Sequence, residues 1–315
     1  MLRLAFVFPG QGAQYVGMGR DLAENFKEAR EVFEQADDVL GYSLSRVCFE
    51  GPVEELDRTE VTQPAILATS IAAFEVLKSR GILPCVAAGL SLGEYSALVA
   101  AGALDLESAL KLVAKRGRIM QEAVAEGRGM MAAVVGMDSG VVVEACQASS
   151  SYGVVSVANY NCPGQIVISG ERIAVEKAME RLRQAGGKVV PLAVSVPSHC
   201  LLMKDAAALL LQELSLVDWK EPSFPVISNV TAREIRWEEI RESLTQQLFH
   251  PVLWEQSVAY MSGRVDYFVE VGPGKVLSAL IRKQAKKQML GNVEDASSLS
   301  RLLAKWEEVD HGQRK

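Results

Sequence analysis

Cysteine is sparse and unpatterned in this chain of 315 residues: Cys48, Cys85, Cys146, Cys162 and Cys200 form an odd set with no C-x-x-C pair. That spacing points to neither a disulfide frame nor a zinc site, and the thiols read as reduced core residues. No uncharged apolar run is long enough to cross a bilayer as a helix, so no membrane partner is expected. The opening MLRLAFVFPG lacks the long apolar stretch and small-residue cleavage site of a secretory signal, which reads as a cytoplasmic protein. Basic residues are not in excess, with 33 Lys and Arg against 39 Asp and Glu for a net charge of -6. Nucleic acid is therefore not an expected partner, because neutralising a phosphate backbone needs a cationic surplus. Histidine is the scarcest chemical group, with only His199, His250 and His311. Any imidazole chemistry must use one of these three.

What is present is ample apolar content, 49% of the chain, distributed in alternating strand and helix patterns. Leu4 to Phe8 is a short apolar run ended by Pro9 and Gly10, which reads as a buried strand entering a glycine turn. Helical patterns over 21–40, 63–80 and 105–125, with a strand over Pro84 to Gly89, predict a mainly parallel sheet covered on both faces. The rhythm then changes. Strands at Met130 to Met137, Val154 to Ala158, Gln165 to Gly170 and Lys188 to Val196, with helices at 139–150 and 171–185, give the order βαββαβ of a ferredoxin-like module. Afterwards the α/β pattern resumes, with a helix near 201–214, strands at Pro225 to Val230 and Tyr267 to Val271, and a helix after Gly274. The polar last 25 or so residues read as a solvated helix and a frayed tail.

The pentapeptide GLSLG at 89–93 fits G-x-S-x-G between an apolar strand and a helix-forming stretch. The flanking glycines permit a sharp turn that exposes the Ser91 hydroxyl, and the following helix aims N–H groups at a developing oxyanion. Three fixed residues recur by chance, so a structural turn serine is the alternative. A serine nucleophile needs a base. His311 lies in the polar tail, and His250 precedes Pro251, where it can simply pack at a helix entry. His199, in VPSHC, follows the last strand of the middle module at a junction where clefts form, which makes it the preferred general base over a hydrogen-bonded helix-entry histidine. No acidic partner is evident; Asp205 is poorly placed, so its Nδ1–H is expected to meet a backbone carbonyl or an amide.

One residue contradicts its surroundings. At about 100° per residue, Leu106, Ala109, Leu110, Leu112, Val113, Ile119, Met120, Ala123 and Val124 form one apolar arc of the helix over 105–125, and Arg116 lies within it. A buried guanidinium remains charged and must meet an anion, either a protein carboxylate or a ligand. A substrate carboxylate held by two parallel hydrogen bonds is the functional option, and it would restrict a serine acyl enzyme to acids with a second carboxylate.

Eight ordered segments spread over nearly the whole chain, FPGQGAQ (8–14), GLSLGEYSAL (89–98), KRGRIMQEA (115–123), NYNCPGQIVISG (159–170), VPSHC (196–200), ISNVTA (227–232), QLFHPVLW (247–254) and EVGPGKVL (270–277), resemble the malonyl-CoA:acyl carrier protein transacylases of bacterial fatty acid synthesis. The resemblance implies Ser91 as nucleophile, His199 as base and Arg116 as carboxylate clamp. It further implies the backbone N–H groups of Gln11 and Leu92 as the oxyanion hole, Gln247 as the residue whose carbonyl orients the histidine, and Asn161 as a polar residue near the site. Malonyl-CoA and acyl carrier protein are the implied partners, with no metal or redox cofactor. Two positions depart from the pattern: Leu90 stands where many members have histidine, and Ser198 precedes His199 where many polyketide enzymes have phenylalanine.

The expected architecture is an α/β-hydrolase-like domain of residues 1–127 and 198–315 with a parallel sheet, interrupted by a ferredoxin-like small domain at 128–197, with the site in the cleft between them. Rival readings are a polyketide acyltransferase, a plain serine esterase and a silent interaction module. The exposed cluster Arg282, Lys283, Lys286 and Lys287 is either a carrier docking patch or a solvated helical face.

Overall fold

The computed structural model describes residues 2–125, 127–192 and 196–313, with side chains to residue 309. Its strands in chain order are β1 (Leu4–Phe8), β2 (Val86–Gly89), β3 (Gly129–Val135), β4 (Val155–Cys162), β5 (Gln165–Glu171), β6 (Lys188–Pro191), β7 (Val226–Ile227), β8 (Tyr267–Val271) and β9 (Met289–Val293). Every residue of LAFVF and of VAAG is buried, as expected of strands covered on both faces. They form the middle of a parallel sheet in the order β7-β2-β1-β8-β9. The chain steps from β1 to β2 on one side and later to β8 on the other. The strand order therefore reverses at β1, where open parallel sheets leave a crevice beyond their carboxyl ends.

The middle segment forms a separate antiparallel sheet in the order β4-β5-β3-β6, with the helices Ser139–Ser149 and Arg172–Gln184. Numbered within the module, that order is 2-3-1-4, the arrangement of the split βαβ pattern read from the sequence. Its own apolar cluster includes Val134, Val142, Ile168, Val175 and Leu182. The two sheets meet where β4 bridges to the large sheet's connections, with Asn159 paired to Val252.

Several boundaries differ from the sequence expectation. The strand expected over 188–196 ends at Pro191, and residues 193–195 lie outside the described residues. MLGNV forms β9, which the pattern missed because a glycine and an asparagine interrupt the apolar run; at the sheet edge β9 needs to pack less completely than β1. The last helix, Ala296–Gln313, is not wholly solvated: its Leu299 and Leu302 are buried. The expectation of a solvated His311 falls beyond the described side chains. No helix among the described residues is long and apolar enough to cross a membrane.

The long helix Thr59–Lys78 is buried nearly all round and carries the helix Leu106–Ala123 against it. Their approach is close at Gly117, where a Cβ would fall 2.6 Å from the carbonyl oxygen of Thr59. Absence of a side chain there sets the neighbouring Arg116 deep between the helices.

Candidate active site

Ser91 occupies a left-handed conformation, φ 54°, at the turn between β2 and the helix Gly93–Ala100. Such a backbone is costly for a residue with a Cβ and persists only when its surroundings impose it. Here the imposition is steric and polar. A Cβ at Gly89 would lie 1.8 Å from the carbonyl carbon of Gly93, and one at Gly93 would lie 2.0 Å from the Phe8 carbonyl oxygen. Strand, turn and helix can approach this closely only because both positions are glycine. Asn229 then pins the turn from the other side: its Oδ1 accepts from Ser91 N at 2.6 Å and its Nδ2 donates to Gly89 O at 2.6 Å.

Among the described side chains, His199 is the histidine that meets the serine. Ser91 Oγ lies 2.9 Å from His199 Nε2, and the opposite ring nitrogen, Nδ1, lies 2.7 Å from the main-chain oxygen of Gln247. The carbonyl can only accept, so Nδ1 carries the proton and Nε2 is left free to accept from the hydroxyl. His199 too has a positive φ, 60°, and is held by a bond from its N–H to Leu248 O at 2.9 Å. Asp205 is exposed on the helix Lys204–Leu214 and takes no part. His250 is half-buried, with Nδ1 at 3.0 Å from Gln246 O.

Arg116 is fully buried and, among the described residues, forms no ion pair. Its Nη1 donates to Gln63 Oε1 at 2.9 Å; its Nη2 donates to Gln247 Oε1 at 3.1 Å and to Ser91 Oγ at 3.2 Å. The Tyr95 ring lies 5.4 Å from the guanidinium carbon. A direct protein salt bridge, one of the two options the helical pattern left open, is therefore not what the arginine makes. Neutral acceptors position it, and its Nε has no hydrogen-bond partner. The apolar arc is shorter than expected, ending at Met120, with Ala123 exposed.

Gln247 and Glu94 complete the network. Gln247 Nε2 donates to Ser91 O at 2.9 Å and to Glu94 Oε2 at 2.8 Å, and the same carboxylate oxygen accepts from Asn229 N at 3.0 Å. Burial pushes the Glu94 carboxyl up to about 7, against the opposing pull of its bonds to Gln247 and Asn229 and of the Arg116 charge. Burial, reinforced by Arg116, pushes His199 down to about 4, so the imidazole is neutral at physiological pH and able to accept a proton.

Ser91, His199 and Arg116 open onto a cleft of about 360 Å³. One wall is Gln11 and the residues after β2; the other is Met131, Ala133, Asn159, Asn161 and Val167 of the antiparallel sheet. The N–H groups of Gln11 and Leu92 have no protein acceptor among the described residues, and both residues line the cleft beside Ser91. Asn161 Oδ1 is buried there without a partner. Leu90 also faces the cleft, packing against the apolar cluster of Ala5, Val7 and Val252. No described group of three or more His, Cys, Asp or Glu is gathered to hold a metal ion.

Three contributors were not identified from the sequence. Gln63 lies in a helix whose apolar composition gives no sign of a polar partner. Glu94 and Asn229 stand inside GLSLGEYSAL and ISNVTA, so the segments were marked while the roles were not.

A parallel α/β sheet carrying a serine and a histidine in contact beyond its central strands, with a buried arginine at the hydroxyl, defines the acyl transferase class, and the family model described as acyl transferase domain matches residues 5–310. The malonyl CoA-acyl carrier protein transacylase of Escherichia coli K12 is 47% identical over 287 residues, covering 90% of this chain and 93% of that one. The crystal structure of the malonyl CoA-acyl carrier protein transacylase of Clostridium perfringens superimposes with a TM-score of 0.96 at 44% identity, covering 99% of this chain and 100% of that one. A malonyl-transacylase solved in complex with a type II PKS acyl-carrier protein is 43% identical, with a TM-score of 0.93 and coverage of 97% and 99%. The chain belongs to the malonyl CoA-acyl carrier protein transacylases.

Proposed function

We propose that this protein transfers malonyl from malonyl-CoA to the phosphopantetheine thiol of acyl carrier protein through an ester on Ser91, supplying fatty acid synthesis. The convergence of His199 Nε2 and Arg116 Nη2 on one hydroxyl, at 2.9 and 3.2 Å, carries the reading. His199 removes the Ser91 proton as Oγ attacks the thioester carbonyl. The oxyanion rests on the N–H groups of Gln11 and Leu92. Collapse breaks the C–S bond, and His199 returns the proton to the departing coenzyme A thiolate. In the second half the carrier thiol gives its proton to His199, attacks the ester carbonyl, and Ser91 leaves with that proton.

Arg116 holds the distal carboxylate of the acyl group. Its positive charge lacks a direct counterion among the described residues, so a ligand carboxylate completes the pairing, and a monocarboxylic acyl group cannot. Asn161, with an unpartnered oxygen in the cleft, is a second polar contact for substrate, and Gln247 serves through its carbonyl and its carboxamide. A plain esterase would have no use for that buried cation. Residues 1–127 with 198–315 make up the acyltransferase domain in this reading, and 128–197 the small domain that forms the opposite wall.

The carrier would approach beside the helix Val276–Ala285, whose Val276, Leu277 and Leu280 line the cleft while Arg282, Lys283, Lys286 and Lys287 are exposed. Lys283 reaches Gln165 on the rim at 2.9 Å, and the cluster suits an acidic carrier. A cytoplasmic setting belongs to the same reading and is supported by five unpaired cysteines.

Incubation with malonyl-CoA tests it: a malonyl mass should appear on the peptide containing Ser91 and be absent from Ser91→Ala. Labelling of another residue, or of the variant, overturns the mechanism.

A further inference from the structure

Glu94 is a fully buried carboxylate that touches neither the nucleophile's hydroxyl nor the cleft, and the acyl-transfer steps do not use it. Leaving a carboxylate in an apolar interior costs several kcal/mol unless its lone pairs are satisfied, and one of its oxygens, Oε1, has no hydrogen-bond partner among the described residues. Mere packing would be served better by an apolar residue of similar volume. Its geometry points to another use.

We propose that Glu94 is the positioning residue for malonyl selection, acting through Gln247. The proposal rests on the malonyl-serine reading above. A carboxamide can sit in either of two flipped orientations of nearly equal shape, and only one of them serves this site. With Nε2 toward Glu94 and Ser91 O, both amide hydrogens meet acceptors, and Oε1 turns to Arg116 Nη2 at 3.1 Å. In the flipped orientation Oε1 would face two acceptors while Nε2 would face the guanidinium, donor against donor. Glu94 Oε2 and Ser91 O each supply one of the two acceptors that forbid the flip. Glu94 is the only side chain of that pair, so it is the part that can vary.

The same Oε2 accepts from Asn229 N, and Asn229 Oδ1 holds Ser91 N. One carboxylate oxygen thus ties the branch that aims the clamp to the branch that holds the elbow. What this function requires is an acceptor at one point in space, and not a charge. Length and charge can be separated by two conservative substitutions.

Glu94→Gln keeps the reach and an acceptor oxygen and removes the charge; Glu94→Asp keeps the charge and withdraws the acceptor by one methylene. The measurement is kcat/KM for malonyl-CoA and for acetyl-CoA with the same carrier protein, in wild type and both variants. Wild type and Glu94→Gln are expected to agree in malonyl-over-acetyl preference to within about threefold, whereas Glu94→Asp loses roughly tenfold or more of it. Retained preference in Glu94→Asp, even with lower overall activity, overturns the proposal, and so does equal loss in both variants. A wild-type enzyme showing no malonyl preference would instead indict the clamp assigned to Arg116, which keeps the two failures apart.

Discussion

Arg116 donates to the hydroxyl of Ser91 at 3.2 Å, so the arginine proposed as the carboxylate clamp also belongs to the hydrogen-bond circuit of the proposed nucleophile. A fixed positive charge at that distance favours the alkoxide and disfavours an imidazolium on His199, which faces the same oxygen. In the proposed mechanism cargo selection and base strength are therefore coupled.

The coupling has a pH signature. His199 is pushed from its ordinary 6.5 down to about 4, first by burial and then by the Arg116 charge. A base with a depressed pKa is competent above that value and is lost as pH falls through it. The acid limb of kcat/KM, which reports the free enzyme, is expected near 4 and well below 6.5. With acetyl-CoA as donor for both proteins, Arg116→Ala should move that limb upward. A limb that stays put, or moves down, would show that the charge does not act on the base.

Gln63 holds the guanidinium from the side away from the nucleophile, at 2.9 Å from Nη1. Hydrogen bonds to charged groups contribute about 1.5–3 kcal/mol, equivalent to roughly 10- to 150-fold in a rate constant. Gln63→Ala is expected to lower kcat/KM for malonyl-CoA by about that factor and for acetyl-CoA by less than about threefold. Steady-state transfer assays with the two donors would decide it, and equal losses would remove Gln63 from the clamp.

Asn229 hydrogen-bonds the turn at Ser91 on both sides and makes no hydrogen bond to Arg116. Asn229→Ala leaves Ser91 N without its acceptor and Gly89 O without its donor. Both donors should lose activity together, by roughly tenfold or more, and denaturant unfolding should show a loss of about 1–3 kcal/mol. A selective loss of malonyl transfer would place Asn229 with Arg116 instead.

Much of this site was readable in the chain because its clues are local. GLSLG places two obligatory glycines within two residues of Ser91, and a helix of known period exposes Arg116 as a polar residue on an apolar face. Scarcity of histidine narrowed the candidates for a base to His199, and the absence of a suitable acid near it left a backbone carbonyl or an amide as the expected partner of Nδ1, which lies against the Gln247 carbonyl. The strand β9 and the buried face of the final helix were missed for the opposite reason: a five-residue edge strand and a mixed-polarity helix carry weak periodic signals.

Composition and periodicity settled the alternation of strands and helices, the sharp turn at Ser91 and the misfit of Arg116, since these depend on residues a few positions apart in one element. Which anion the arginine would meet was not among them. Gln63, Gln247 and Ser91 reach it across separations of 53, 131 and 25 residues, and Glu94 and Asn229 join across 135. Such partners are chosen by strand order and helix packing, which bring distant backbones to fixed positions before any side chain can select its hydrogen bond. The local pattern posed the question of a buried, unpaired charge, and only the packing of two helices and a reversed strand order left that charge beside Ser91 with no carboxylate among the described residues in direct contact with it.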